Sequence, residues 1–136
     1  QDGVLFTRDG TGLLVYPMGK PGTDYTVPAG VIAIGTAAFD SCKALTMINL
    51  PVTITSIGDG AFAWCGSLTA IDVDDDNQHY KDQDGVLFTR DGTGLLVYPM
   101  GKSETDYTVP AGVTAIGVYA FAGYGKLERI ILPNGF

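Results

Sequence analysis

Histidine occurs once, tryptophan once and cysteine twice in 136 residues, and each scarcity closes off some chemistry. One histidine and two cysteines cannot supply four zinc ligands at finger-like spacing. Two cysteines are also too few for a disulfide-stapled scaffold, and they leave the redox compartment open. Basic residues number eight against fifteen acidic ones, a net charge of −7. No Lys/Arg cluster is present to track a phosphate backbone or an anionic membrane surface, which argues against nucleic acid as a partner. Apolar runs never reach the roughly 18 residues that span a bilayer, so no membrane insertion is expected of this segment. A basic start followed by an apolar stretch, the mark of a signal peptide, is absent from these residues. Gln1 opens the chain at a point that elsewhere lies inside a repeat, which gives the expectation of a piece of a longer protein. Disorder is excluded, since 46% of the residues are hydrophobic.

What is present is repetition. Ile57-Gly58, Ala61-Phe62, Cys65, Leu68, Ile71 and Val73 form a frame I-G-x-x-A-F-x-x-C-x-x-L-x-x-I-x-V. Its phase recurs 23 residues earlier as Ile34-Gly35, Ala38-Phe39, Cys42, Leu45, Ile48 and Leu50. It recurs 59 residues later as Ile116-Gly117, Ala120-Phe121, Leu127, Ile130 and Leu132, with Tyr124 in the cysteine slot. Apolar residues at one phase every 20 to 30 residues, roughly, mark a solenoid whose neighbouring units share a core. A longer repeat overlies this one: residues 1–20 recur unchanged as 83–102, and Thr23 to Val31 recur as Thr105 to Val113. A catalytic constellation is normally built once, whereas every residue of this block occurs twice. Structure is the simpler reason for it.

The block reads as β. Val4 to Thr7 and Leu13 to Tyr16 are short β-branched and aromatic runs, joined by Arg8-Asp9-Gly10-Thr11-Gly12 as a hairpin loop. Asp24-Tyr25-Thr26-Val27-Pro28 is another strand-like run, ended by the proline, which cannot donate to a ladder. Val31-Ile32-Ala33-Ile34 alternates at period 2. Leu45, Ile48 and Leu50 are expected inward with Met47 and Asn49 outward. Leu68, Ile71 and Val73 are inward with Ala70 and Asp72 outward; Leu127, Ile130 and Leu132 are inward with Arg129 and Ile131 outward. Phe39, Phe62 and Phe121 should be buried. No i, i+3, i+4, i+7 stripe persists for three turns, so only short helical turns are expected.

These residues resemble the BspA-like leucine-rich repeats of cell-surface proteins. The likeness rests on Leu45-x-x-Ile48-x-Leu50-Pro51, on Ile57-Gly58-x-x-Ala61-Phe62-x-x-Cys65 and on the counterparts around Gly117 and Phe121. Asp76 to Tyr80, followed by Asp84 to Phe88 and Tyr98-Pro99, resembles the hairpin inserted between such units. The resemblance implies a mostly β, right-handed leucine-rich-repeat solenoid with short parallel strands, inserted β-hairpins and only short helical turns. It also implies an exported or cell-surface location, adhesion or protein binding, no cofactor and no catalytic residues. The layout expected is a single domain over 1–136: hairpin 1–20, units 25–51 and 52–74, linker and hairpin 75–102, unit 107–136.

Each candidate site has a plainer reading. Cys42 and Cys65 share a slot in adjacent units, so their side chains stack in parallel as buried thiols rather than converging into a disulfide. Asp72 to Asn77 is the densest charge run, but an EF-hand loop starting at Asp72 would need Gly at position 77 and Glu at 83, where Asn77 and Gln83 stand. An acidic turn closing on its own backbone is the simpler account, with a loose Ca²⁺ site as the alternative. His79 sits in a polar linker, and no G-x-S-x-G elbow surrounds Ser41, Ser56, Ser67 or Ser103. Gly10-Thr11-Gly12 lacks the third glycine and the helix that a dinucleotide loop requires. Trp64, at a variable position, is expected exposed, while Tyr16, Tyr25, Tyr98 and Tyr107 suit half-buried packing with a wet hydroxyl.

The chain therefore reads as a non-enzymatic protein-interaction or adhesion module of a secreted or cell-surface bacterial protein. Its candidate binding face is Met47, Asn49, Ala70, Asp72, Arg129 and Ile131, and the partner expected is a protein, such as a host matrix or surface protein. The acidic balance favours a partner with basic patches. The alternatives are a glycan-binding module centred on Trp64 and a passive structural spacer.

Overall fold

A computed structural model describes residues 3–123 and 125–136; Tyr124 in the third cysteine slot lies outside the described residues. Thirteen short strands follow one another: β1 Leu5–Phe6, β2 Gly12–Val15, β3 Asp24–Thr26, β4 Ala33–Ile34, β5 Met47–Leu50, β6 Ser56–Ile57 and β7 Ala70–Val73. After them come β8 Tyr80–Gln83, β9 Val86–Thr89, β10 Gly94–Val97, β11 Asp106–Thr108, β12 Ala115–Ile116 and β13 Arg129–Ile131. No helix occurs among the described residues, and the expected helical turns are isolated hydrogen-bonded ones such as Ala38 N–H to Gly35 O at 3.2 Å.

The strands wind rather than meander. β2, β4 and β6 pair in parallel, as do β3, β5 and β7. Each winding thus contributes one short strand to each of two sheets, and three windings stack in the first half. Two more follow, with β10 parallel to β12 and β11 parallel to β13. Leu13 stands opposite Ile34 and Ile34 opposite Ile57; in the second half Leu95 stands opposite Ile116. Like residues therefore sit on like residues, as the 23-residue phase requires.

An aromatic column follows from this register. Tyr16 stacks on Phe39 and Phe39 on Phe62, each with ring centroids 5.2 Å apart, and Tyr98 stacks on Phe121 at 5.5 Å. Tyr16 and Tyr98 are thus buried members of the column, correcting the half-buried packing expected of them. Phe39 and Phe62 are buried as expected. Phe121 is only half-buried, and Leu132, expected inward, is 47% exposed. The cause is positional: Leu50 is covered by Val73 of the next winding, whereas no described strand lies beyond β13.

The hairpin β8–β9 separates the two halves. Leu87 joins the core of the first half, while Val86 and Phe88 on the opposite side of the pleat join that of the second. Leu5, its counterpart in the identical N-terminal block, is 54% exposed because β1 is an edge strand. Leu87→Ala is accordingly expected to cost about 2–5 kcal/mol. Leu5→Ala in the same local sequence should cost under about 1 kcal/mol. Denaturant melts giving equal losses would contradict the placement of the hairpin.

Candidate functional site

The residues expected to point outward on the 45–73 units form one surface. Parallel register puts Met47 beside Ala70 and Asn49 beside Asp72, with Asp24 and Thr26 continuing the two rows. Asn49 Nδ2 donates to Thr26 Oγ1 at 3.2 Å, which fixes the amide across the sheet. The rest of the expected face lies elsewhere: Arg129 and Ile131 belong to β13, beside Asp106 and Thr108 of β11. Between the two patches comes the 84–85 turn. Gly85 O accepts from Ile71 N–H at 3.0 Å, and a methyl on Gly85 would lie 2.9 Å from Ala70 Cβ. The inserted turn thus borders β7 where a further parallel strand would otherwise pair.

The charges of this face are arranged for different tasks. Arg129 Nη2 contacts Asp106 Oδ2 at 2.7 Å, an exposed pair of small energetic weight. Among the described residues Asp72 has no such cation. Partial burial first, then the carboxylates of Asp82, Asp75 and Asp74, hold its carboxyl above the usual range. A cationic group placed against Asp72 would relieve that repulsion.

The neighbouring acidic turn spends its carboxylates on backbone. Asp74 Oδ1 accepts from Asp76 N–H at 2.9 Å, and Asp82 Oδ1 from Val73 N–H at 2.9 Å. Among the described residues no group of three or more His, Cys, Asp or Glu side chains is placed to hold a metal ion. Asn77, seen in the sequence only as a residue spoiling a calcium loop, is fully buried. Its Nδ2 donates to Pro51 O (3.1 Å) and Ile54 O (3.0 Å), while its Oδ1 accepts from the N–H groups of His79 (2.8 Å) and Tyr80 (2.9 Å). Asparagine can bond carbonyls at one end and amides at the other, so it ties the linker to the preceding winding. The signal available beforehand was only an Asn in a turn.

His79 itself is exposed. Each glycine hairpin tip closes on its own aspartate: Asp9 Oδ1 accepts from Thr11 N–H (3.0 Å) and from the hydroxyls of Thr7 and Thr11 (2.8 Å each), and Asp91 repeats the pattern. The Thr11 amide bond first, and then the hydroxyls of Thr11 and Thr7, hold the Asp9 carboxyl below the usual range. Cys42 and Cys65 are buried free thiols that donate to Tyr16 O (3.5 Å) and Phe39 O (3.0 Å). Contact with Cys65 first, and burial second, push the Cys42 thiol well above its ordinary range, the reverse of what a nucleophile needs. Tyr98 has a buried hydroxyl without a partner among the described residues, correcting the wet hydroxyl expected there. No helix of the described residues is long and apolar enough to cross a membrane.

Comparison with curated proteins found no match. Solved structures do match. A leucine-rich repeat protein from Eubacterium ventriosum is 28% identical with a TM-score of 0.76, over 93% of this chain and 31% of that one. The pneumococcal vaccine antigen PcpA is 26% identical with a TM-score of 0.68, over 84% of this chain and 34% of its own. A leucine rich cell surface protein from Faecalibacterium prausnitzii is 25% identical with a TM-score of 0.63, over 99% and 39%. The chain thus spans about a third of the length of these proteins. Leucine-rich repeats of this kind generally bind proteins and are generally non-enzymatic. The family described as "BspA type Leucine rich repeat region" matches residues 19–84 and 100–136 in six copies, and the chain belongs to that family.

Proposed function

We propose that this chain is a non-enzymatic protein-interaction or adhesion module of a secreted or cell-surface bacterial protein. One observation carries the reading. Where the duplicated halves diverge, the inward positions are kept (Leu45 and Leu127, Ile48 and Ile130) while their outward neighbours change: Thr46 to Glu128, Met47 to Arg129, Asn49 to Ile131. A scaffold that holds its interior and varies its surface separates stability from recognition. Similarity to a vaccine antigen and to a cell surface protein supports the location.

Surface-immobilised chain titrated with a panel of host matrix proteins is the test. Saturable binding to at least one is expected, and Asp72→Lys should slow association several-fold, roughly, by reversing a charge in the face. No saturable binding to any would leave the passive spacer. The glycan reading has one observation in its favour, the 46% exposure of Trp64. Binding on a glycan array that disappears in Trp64→Ala would favour it.

A further inference from the structure

Each I-G-x-x-A-F-x-x turn holds two residues in left-handed backbone. The first position is Ala37 (φ 57°), Gly60 (65°) and Tyr119 (65°); the second is Ser41 (62°), Trp64 (62°) and Gly123 (81°). Glycine suits such backbone, and a bulky side chain there is uncommon. Yet two of the six positions carry large aromatics. Each ring lies against a glycine of the other half. A methyl on Gly60 would lie 3.2 Å from Tyr119 Cδ2, and one on Gly123 would lie 3.1 Å from Trp64 Cζ3. The rings are positioned by this exchange without being covered, since Trp64 is 46% and Tyr119 58% exposed. Strain at positions that leave aromatic surface in water points to use of that surface.

Between the rings is a cleft of about 220 Å³ whose lining includes Thr36, Asp40 and Asp59. Among the described residues no lysine or arginine lines it. Among the described residues the Asp59 carboxylate has no hydrogen-bond or ion-pair partner, and that of Asp40 accepts only a long bond from Ser41 Oγ (3.3 Å). Two aromatic rings and two carboxylates lining one concavity suit an organic cation, attracted by the π-systems and the charges together. A neutral sugar could stack on the rings and donate hydroxyls to the carboxylates, but it would leave their two negative charges unneutralised.

We propose that this cleft takes an arginine or lysine side chain from a basic segment of a protein partner. The proposal rests on the protein-interaction reading and names the partner's chemistry. It also agrees with the net charge of −7. The site exists once although the scaffold is duplicated, because the halves diverge at these positions. Thr36-Ala37 and Asp40-Ser41 of one copy are Val118-Tyr119 and Ala122-Gly123 of the other, while Ala38-Phe39 is kept as Ala120-Phe121. The acids come from the first half and the second ring from the other, so neither half alone completes the cleft. Arginine suits it best, since a planar guanidinium stacks on a ring while bonding a carboxylate.

Trp64 is the sole tryptophan, so its emission reports on the cleft directly. Titration of the whole chain with tetra-arginine peptide at physiological salt should give a saturable change. The Asp40→Asn/Asp59→Asn pair, and separately Tyr119→Ala, should weaken it by about tenfold or more. Asp74→Asn/Asp75→Asn removes the same charge from another turn and should change it by less than about twofold. Absence of a saturable change overturns the proposal. So does equal weakening by both double variants, which would mean attraction by net charge alone, and so does a response to neutral cellohexaose but not to tetra-arginine. Capture of a matrix protein equally by the parent chain and by Asp40→Asn/Asp59→Asn would sink this cleft while leaving the protein-interaction reading intact.

Discussion

Phe62→Ala is expected to lower the free energy of unfolding by about 3–5 kcal/mol. Phe62 is 3% exposed and lies in the third winding, its ring inclined 23° to that of Phe39. Truncation removes the transfer energy of a buried ring and leaves a void between rigid windings, whose backbones are tied by bonds such as Phe39 N–H to Ala61 O at 2.7 Å. Little collapse can fill such a void, which places the cost at the upper end of core truncations. Trp64→Ala, two residues away and 46% exposed, should cost less, about 1 kcal/mol. Equilibrium denaturant melts make the comparison. A loss under about 0.5 kcal/mol at Phe62, within the range of surface substitutions, would remove the stacked column from the account.

Asn77→Asp should cost as much, by a different route. The change is nearly isosteric, but it replaces the Nδ2 donor that serves Pro51 O and Ile54 O with an acceptor oxygen. At neutral pH a carboxylate would be buried against two carbonyl oxygens, and the expected loss is about 3–5 kcal/mol. The sign with pH is fixed by the same geometry. Burial and the facing carbonyls raise the introduced carboxyl's pKa above its unfolded value, so the folded state holds the proton more tightly. The destabilisation should therefore shrink as pH falls toward the carboxylate range, because the protonated group regains one donor. Asn77→Ala, which leaves the same partners unbonded without adding charge, should show no such pH dependence. Melts of both variants at pH 7 and pH 4, conditions chosen on either side of the carboxylate pKa, check this. A pH-independent loss in Asn77→Asp would contradict the bonding assigned to the amide.

The windings were legible because their evidence is periodic. Ile34, Ile57 and Ile116 share a phase, and phase dictates which side chains can stack. Environment was not legible, because it depends on what lies across a gap in sequence. Leu5 and Leu87 sit in identical 20-residue blocks, yet one is 54% exposed and the other fully buried. Among the described residues, the second block has a strand, β8, on the outer edge of its hairpin and a preceding core to cover, and the first has neither. The same reasoning accounts for Leu132, whose pattern says inward although no described strand covers it. Of the expected binding face, the rows through Met47, Ala70, Asn49 and Asp72 follow from adjacent units. Its separation from Arg129 and Ile131 depends on the 84–85 turn, which no periodicity announces. The Trp64–Tyr119 cleft was half visible: Trp64 stood out as variable, but its partner is 55 residues away and occupies a different slot of the repeat.

In-phase stacking is the claim from which the column, the face and the cleft all follow. Interstrand nuclear Overhauser effects on uniformly labelled protein test it most directly. The account predicts backbone contacts linking Tyr25 to Ile48 and Ile48 to Ile71 in one sheet, and Ile34 to Ile57 in the other. Contacts shifted along the chain from these partners, or absent between them, would contradict it.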